Sequence, residues 1–271
     1  MTEILTPSLI IGALGAVCAV ILAIASIIMA VPVDEKVEAV KEALPGANCG
    51  ACGYPGCDGY AAAVVAGEAP PNACPPGGPD LAAIIGEILG VAVSQSARQA
   101  ALVNCGGCDK NTGEKMRYHG VLTCALENQL YGGSSACTYG CLGHGDCVKV
   151  CAYDAIWVEN DLAMVDPVAC VGCKLCLSAC PKDLIVMAPA ENAAAIACSS
   201  LDKGPVVRKN CSVGCIACTK CVKVCPEGAI EIKNFLAKVD YDKCTGCGLC
   251  VPECPQDTIY MIGVGGVSLD K

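Results

Sequence analysis

The segment Cys215-Ile216-Ala217-Cys218-Thr219-Lys220-Cys221-Val222-Lys223-Val224-Cys225-Pro226 reads C-x2-C-x2-C-x3-C-P. The same spacing recurs at Cys244, Cys247, Cys250, Cys254 and Pro255, and at Cys170, Cys173, Cys176, Cys180 and Pro181. These runs belong to a larger repeat. Adding 74 to Cys137, Cys141, Cys147, Cys151, Cys170, Cys173, Cys176 and Cys180 gives Cys211, Cys215, Cys221, Cys225, Cys244, Cys247, Cys250 and Cys254. The offset also carries Ala155-Ile156 onto Ala229-Ile230 and Val165-Asp166 onto Val239-Asp240. Two copies of one supersecondary unit therefore follow each other. Short apolar stretches flank Glu159-Asn160-Asp161 and Asn234, which predicts a hairpin in each copy.

The spacing is that of bacterial ferredoxin cluster loops. Three thiolates two residues apart can face three irons of a [4Fe-4S] cubane. The fourth cysteine points away and reaches the other cluster of a pair. In the second copy Cys215, Cys218, Cys221 and Cys254 form one predicted site, and Cys225, Cys244, Cys247 and Cys250 the other. In the first copy Cys151, Cys170, Cys173 and Cys176 form one. Its partner has Cys141, Cys147 and Cys180, but His144 stands where the repeat has Cys218. Cys137, the nearest upstream thiol, is the expected fourth ligand; His144 and a three-iron cluster are the alternatives. Zinc sites usually come as separated C-x2-C pairs, and these runs do not read that way. Each copy is predicted as an α+β unit of about 55 residues, too small for an apolar core, so cluster binding and folding go together.

Upstream, Asn48-Cys49-Gly50-Ala51-Cys52-Gly53-Tyr54-Pro55-Gly56-Cys57 is followed by Cys74. The glycines let the backbone pass close to a bulky inorganic core. Gly67 and Pro70-Pro71 turn the chain so that Cys74 can return. One more [4Fe-4S] cluster on Cys49, Cys52, Cys57 and Cys74 is expected, with zinc as the alternative. Helical stretches are predicted over 34–44 and 80–93. Leu9 to Val31 carries no charge. As a helix it is roughly 35 Å long, enough for a bilayer core of about 30 Å. No Lys or Arg precedes it, which argues against a signal peptide. A single-pass membrane anchor is expected, with the lipid bilayer as partner. Lys36 and Lys41 after the span place the remainder in the cytoplasm, where thiols stay reduced.

Five cysteines remain: Cys105, Cys108, Cys124, Cys198 and Cys211. They are expected to hold a sixth cluster, with local zinc binding or free buried thiols as alternatives. Six clusters leave one thiol over, Cys105 or Cys108. Composition narrows the function. The net charge is −9, which speaks against nucleic acid as a partner. No G-x-G-x-x-G opens a βα unit, and no P-loop or H-E-x-x-H occurs. His119 reads as a surface residue.

The order of anchor, N-C-G-A-C-G-Y-P-G-C loop and terminal ferredoxin runs resembles the B-type iron–sulfur component of Rnf complexes, over nearly the whole length. That family couples electron flow from ferredoxin to NAD with Na+ or H+ translocation. The resemblance implies an electron-transfer subunit that accepts electrons from soluble ferredoxin and passes them to other membrane and peripheral subunits. Hydride transfer would occur elsewhere in the complex. The alternatives are an iron–sulfur subunit of another membrane redox enzyme, a catalytic subunit with an open-site cluster, and a corrinoid-type reductive activator. Lys203, Arg208, Lys209, Lys220 and Lys223 concentrate positive charge and are a candidate ferredoxin dock; a solvated basic face without a partner, or docking through apolar contact with the N-terminal four-Cys domain, are the alternatives. The predicted organisation is an anchor (1–32), a small four-Cys iron–sulfur domain (33–93) and a connector (94–134). Two tandem 2[4Fe-4S] ferredoxin units (135–190 and 211–262) follow, separated by a linker (191–210) and ended by a tail (263–271).

Overall fold

The computed structural model describes residues 2–28, 34–93 and 98–263. Helix α1 (Thr2–Ile28) opens the chain. Its side chains are described over residues 12–25 and are exposed as far as Ile24. Among the described residues no helix is long and apolar enough to cross a membrane. The end of the expected span, residues 29–31, lies outside the described residues.

Helices α2 (Glu35–Ala43), α3 (Gly56–Val65) and α4 (Gly78–Leu89) form the N-terminal domain. The Asp34 carboxylate caps α2 by accepting from Lys36 N at 2.9 Å. Helix α4 has Pro79 in its first turn and stops at left-handed Gly90, φ +72°, the usual asymmetry of helix ends. Val40, Tyr60, Val64, Leu81 and Ile85 bury against one another between these helices.

The first ferredoxin-like unit contains β1 (Gln99–Val103), α5 (Cys124–Asn128), α6 (Asp146–Lys149), β2 (Ile156–Glu159), β3 (Leu162–Val165), α7 (Leu175–Ala179) and β4 (Ile185–Pro189). The second contains β5 (Ala193–Ile196), α8 (Gly204–Asn210), α9 (Lys220–Val224), β6 (Ile230–Lys233), β7 (Leu236–Val239) and β8 (Ile259–Ile262). The strands pair as two-stranded antiparallel ladders, β1 with β4, β2 with β3, β5 with β8 and β6 with β7. Ile156 faces Val165 and Ile230 faces Val239 in the two hairpins. Their turns, Asn160-Asp161 and Asn234-Phe235, are left-handed at both positions, which matches the twist of the flanking strands.

The segments expected as connector and linker each supply a strand, β1 and β5. Each closes its unit by pairing with the last strand, Val103 against Ile185 and Ile196 against Ile259. Ala100–Val103 and all of β5 are buried on both faces. They therefore lack alternation, and alanine is a weak strand former. The two closing ladders meet through Leu102, Ala188, Ala193, Ala195 and Ile262, so the units share a core. The single Trp and single Phe, Trp157 and Phe235, are exposed. Cysteines fill the interior instead: Cys147, Cys170 and Cys176 pack with Ile156 and Ile185.

Candidate metal centres

The first cysteine loop is shaped by backbone that a Cβ would disturb. Asn48 is left-handed, and its side-chain oxygen accepts from Cys57 N at 2.8 Å. Gly56 has φ +86°, and a Cβ there would stand 2.9 Å from that same Asn48 oxygen. The Tyr60 hydroxyl donates to Pro70 O and Pro71 O at 2.9 Å each, fixing the turn that returns Cys74. Burial raises the Cys74 thiol, and Cys52, Cys49 and Cys57 add to the rise. Cys52, Cys57 and Cys74 pack against the same core of this domain.

Cys151, Cys170, Cys173 and Cys176 line a single cavity with Ala101, Tyr153 and Leu175. Burial pushes Cys176 up to about 12, helped by Cys170, Cys173 and Cys151. Ala101 N, on β1, donates to Cys170 Sγ at 3.3 Å. In the second unit burial pushes Cys221 up to about 11, with Cys215, Cys218 and Cys254 contributing. Burial raises Cys250 as well, with Cys244, Cys247 and Cys225 contributing. Of the exchanged fourth cysteines expected from the spacing, Cys151 lines the cavity of the first unit, and Cys225 and Cys254 pack against the core of the second. Thr258 N donates to Cys254 Sγ at 3.3 Å.

The altered site differs from expectation. Cys141, Cys147 and Cys180 share their cavity with Cys124, and Cys137 does not line it. Burial pushes Cys147 up to about 12, followed by the charges of Cys141, Cys124 and Cys180. Helix α5 begins at Cys124 and is fastened at three points. Asp146 Oδ2 accepts from Ala125 N at 3.1 Å, and Asn128 Nδ2 donates to Pro181 O at 3.1 Å. Glu127, 2% exposed, accepts from Ser134 N at 2.7 Å and pairs with His144 Nε2. Burial pushes the Glu127 carboxyl up, but the Ser134 and His144 hydrogen bonds outweigh it and hold the group below its ordinary value. His144 therefore has a carboxylate partner. Of the loose cysteines, Cys105, Cys198 and Cys211 line another cavity, together with Cys137. Cys108 does not line it; its Sγ accepts from Asn111 Nδ2 at 3.3 Å.

Among the described residues no group of three or more His, Cys, Asp or Glu converges as a site for one metal ion. The donor sets are instead groups of thiols, and within them burial makes Cys74, Cys147, Cys176, Cys221 and Cys250 favour the neutral form. A cationic iron–sulfide core reverses that preference and fits them.

Residues 44–76 match a family described as an Fe-S cluster, and residues 169–230 and 214–258 match two described as 4Fe-4S dicluster domains. The chain is 43% identical over 248 residues to the B-type component of the Na(+)-translocating ferredoxin:NAD(+) oxidoreductase complex of Acetobacterium woodii, covering 91% of this chain and 74% of that one. It is 40% identical over 261 residues to the B-type component of the ion-translocating oxidoreductase complex of Methanosarcina acetivorans, covering 96% and 99%. It is 38% identical over 236 residues to the B-type component of the proton-translocating ferredoxin:NAD(+) oxidoreductase complex of Clostridium ljungdahlii, covering 86% and 83%.

Proposed function

Because this chain belongs to the family of B-type components of ion-translocating ferredoxin:NAD(+) oxidoreductase complexes, as an iron–sulfur electron-transfer subunit, we propose that it is the part of the complex that takes electrons from reduced ferredoxin. Cys49, Cys52, Cys57 and Cys74 hold one [4Fe-4S] cluster in this reading. Cys151, Cys170, Cys173 and Cys176 hold a second; Cys215, Cys218, Cys221 and Cys254 a third; Cys225, Cys244, Cys247 and Cys250 a fourth. When bound, each cubane supplies reversible one-electron chemistry. The chain's own residues hold, space and insulate the clusters. Ala101 N–H and Thr258 N–H point at ligand sulfurs and would favour the more negative reduced state, raising potential. Reduction of NAD belongs to partner subunits.

The observation that carries this reading is the grouping of thiols in fours along the chain, from the N-terminal domain to the last unit. Cys218 and Cys247 are exposed, unlike the other cysteines of these groups. They give the C-terminal unit the accessible edge that an incoming carrier needs. Lys220 and Lys223 lie on α9 beside Cys218. A holo-protein this acidic repels an acidic ferredoxin except where such charge gathers. Replacing both lysines with Glu should slow reduction by ferredoxin and weaken its salt dependence, while dithionite still reduces every cluster. Unchanged ferredoxin kinetics with all clusters present would move the entrance elsewhere. We also assign membrane anchoring to the uncharged stretch from Leu9 to Val31, with the remainder on the cytoplasmic side. Alkaline carbonate should extract a chain lacking residues 1–33 and leave the full chain in the pellet.

A further inference from the structure

We propose that Cys105, Cys137, Cys198 and Cys211 hold a [4Fe-4S] cluster at the joint between the two ferredoxin units, and that Cys124, in place of Cys137, completes the adjacent site with Cys141, Cys147 and Cys180. The inference rests on the reading of the chain as a cluster carrier. The matched family segments, residues 44–76, 169–230 and 214–258, contain none of Cys105, Cys124 and Cys137.

Backbone pairing assembles the joint. Residues 111–114 form a rail with a partner on each side. On one side Thr112 bridges to Cys211, Ser212 N donates to Asn111 O at 2.9 Å, and Gly113 N donates to Asn210 O at 3.3 Å. On the other, Glu114 bridges to Ser135 and Ala136 N donates to Gly113 O at 2.7 Å. The rail thus delivers Cys211 and Cys137 to one place. Ser199 Oγ donates to Asn104 O at 2.9 Å and draws Cys198 toward Cys105. A Cβ on Gly107 would lie 3.5 Å from Cys211 Sγ and 3.7 Å from Cys105 Sγ, so two of the sulfurs converge across that glycine.

Four thiols from four separate loops, facing one cavity, are what a cubane takes. Cys108 is left out because it does not line this cavity, and its Sγ accepts from Asn111 Nδ2 at 3.3 Å instead. The position is a bridge. Cys141 N donates to Cys105 Sγ at 3.4 Å, which places the site against the first unit's altered quartet. Cys198 and Cys215 pack against the same core of the second unit.

The test is iron, sulfide and zinc per full-length chain, purified anaerobically, with Mössbauer spectra. The wild type should carry about 24 Fe, four for each of six cubanes. Cys137→Ser and Cys198→Ser should each lose or convert one cluster, and the double variant should lose no more than either, since both residues serve one site. Cys124→Ser combined with Cys137→Ser should lose two clusters, and Cys108→Ser none. A Cys124/Cys137 double variant no worse than Cys137→Ser alone would overturn the assignment. So would about 20 Fe, or stoichiometric zinc, in the wild type, a result that needs no variant to fold. A wild-type chain without any iron–sulfur signal would instead overturn the electron-carrier reading itself.

Discussion

Glu127 is the place to test how Cys124 is held. Its carboxylate is buried, accepts from Ser134 N at 2.7 Å and pairs with His144. Glu127→Ala leaves the Ser134 N–H and the His144 ring without their acceptor. A hydrogen bond to a charged group contributes about 1.5–3 kcal/mol, and removing one partner of a buried pair adds the cost of the group left behind. Loss of one such bond fully and the other in part gives about 3 kcal/mol. At about 1.4 kcal/mol per factor of ten, α5 should open roughly 150-fold more often. Glu127→Gln keeps an acceptor for Ser134 and loses only the charge, so about 1.4 kcal/mol and a tenfold change are expected. Two measurements report it: anaerobic hydrogen exchange of the peptide containing α5, and the rate of iron loss to a chelator. Both should rise in the order wild type, Gln, Ala, with the excess iron loss confined to one cluster. If Glu127→Ala exchanges at α5 like the wild type and keeps its iron equally long, the fastening of Cys124 does not run through Glu127.

Tyr60→Phe should destabilise the N-terminal domain by about 1 kcal/mol, because one hydroxyl serves the Pro70 and Pro71 carbonyls; thermal unfolding and iron retention by that domain would report it. Gly143→Ala should cost more, about 3 kcal/mol, since φ is +72° and a Cβ would stand 2.7 Å from the Asp161 backbone; unchanged denaturant midpoints would refute it. The repeat offset places Ala217 at the equivalent position, with φ +54°. Ala217→Gly should therefore stabilise the second unit by about 1 kcal/mol, read as a higher midpoint with the same iron content.

The legibility of each site followed the distance over which it is encoded. In the runs beginning at Cys170, Cys215 and Cys244, three ligands lie within seven residues, and local loop geometry alone aims them at one point. The exchange of fourth cysteines between paired runs then supplied the expected fourth ligand, and the hairpins were legible as short apolar stretches around a polar turn. Cys124 and Cys137 carry no such signal. Both precede Cys141, and spacing favours the nearer one. The fold seats the farther one there because Asp146, Pro181 and His144 fasten α5 beside Cys147 and Cys180. Cys137 is carried away by the pairing of residues 135 and 136 with residues 113 and 114. Strands β1 and β5 were hidden because burial on both faces erases alternation. Short-range spacing thus groups three thiols in each intact ferredoxin run. Only the tertiary structure decided the joint, where the backbone pairs across about a hundred residues of chain and no local period records the contact.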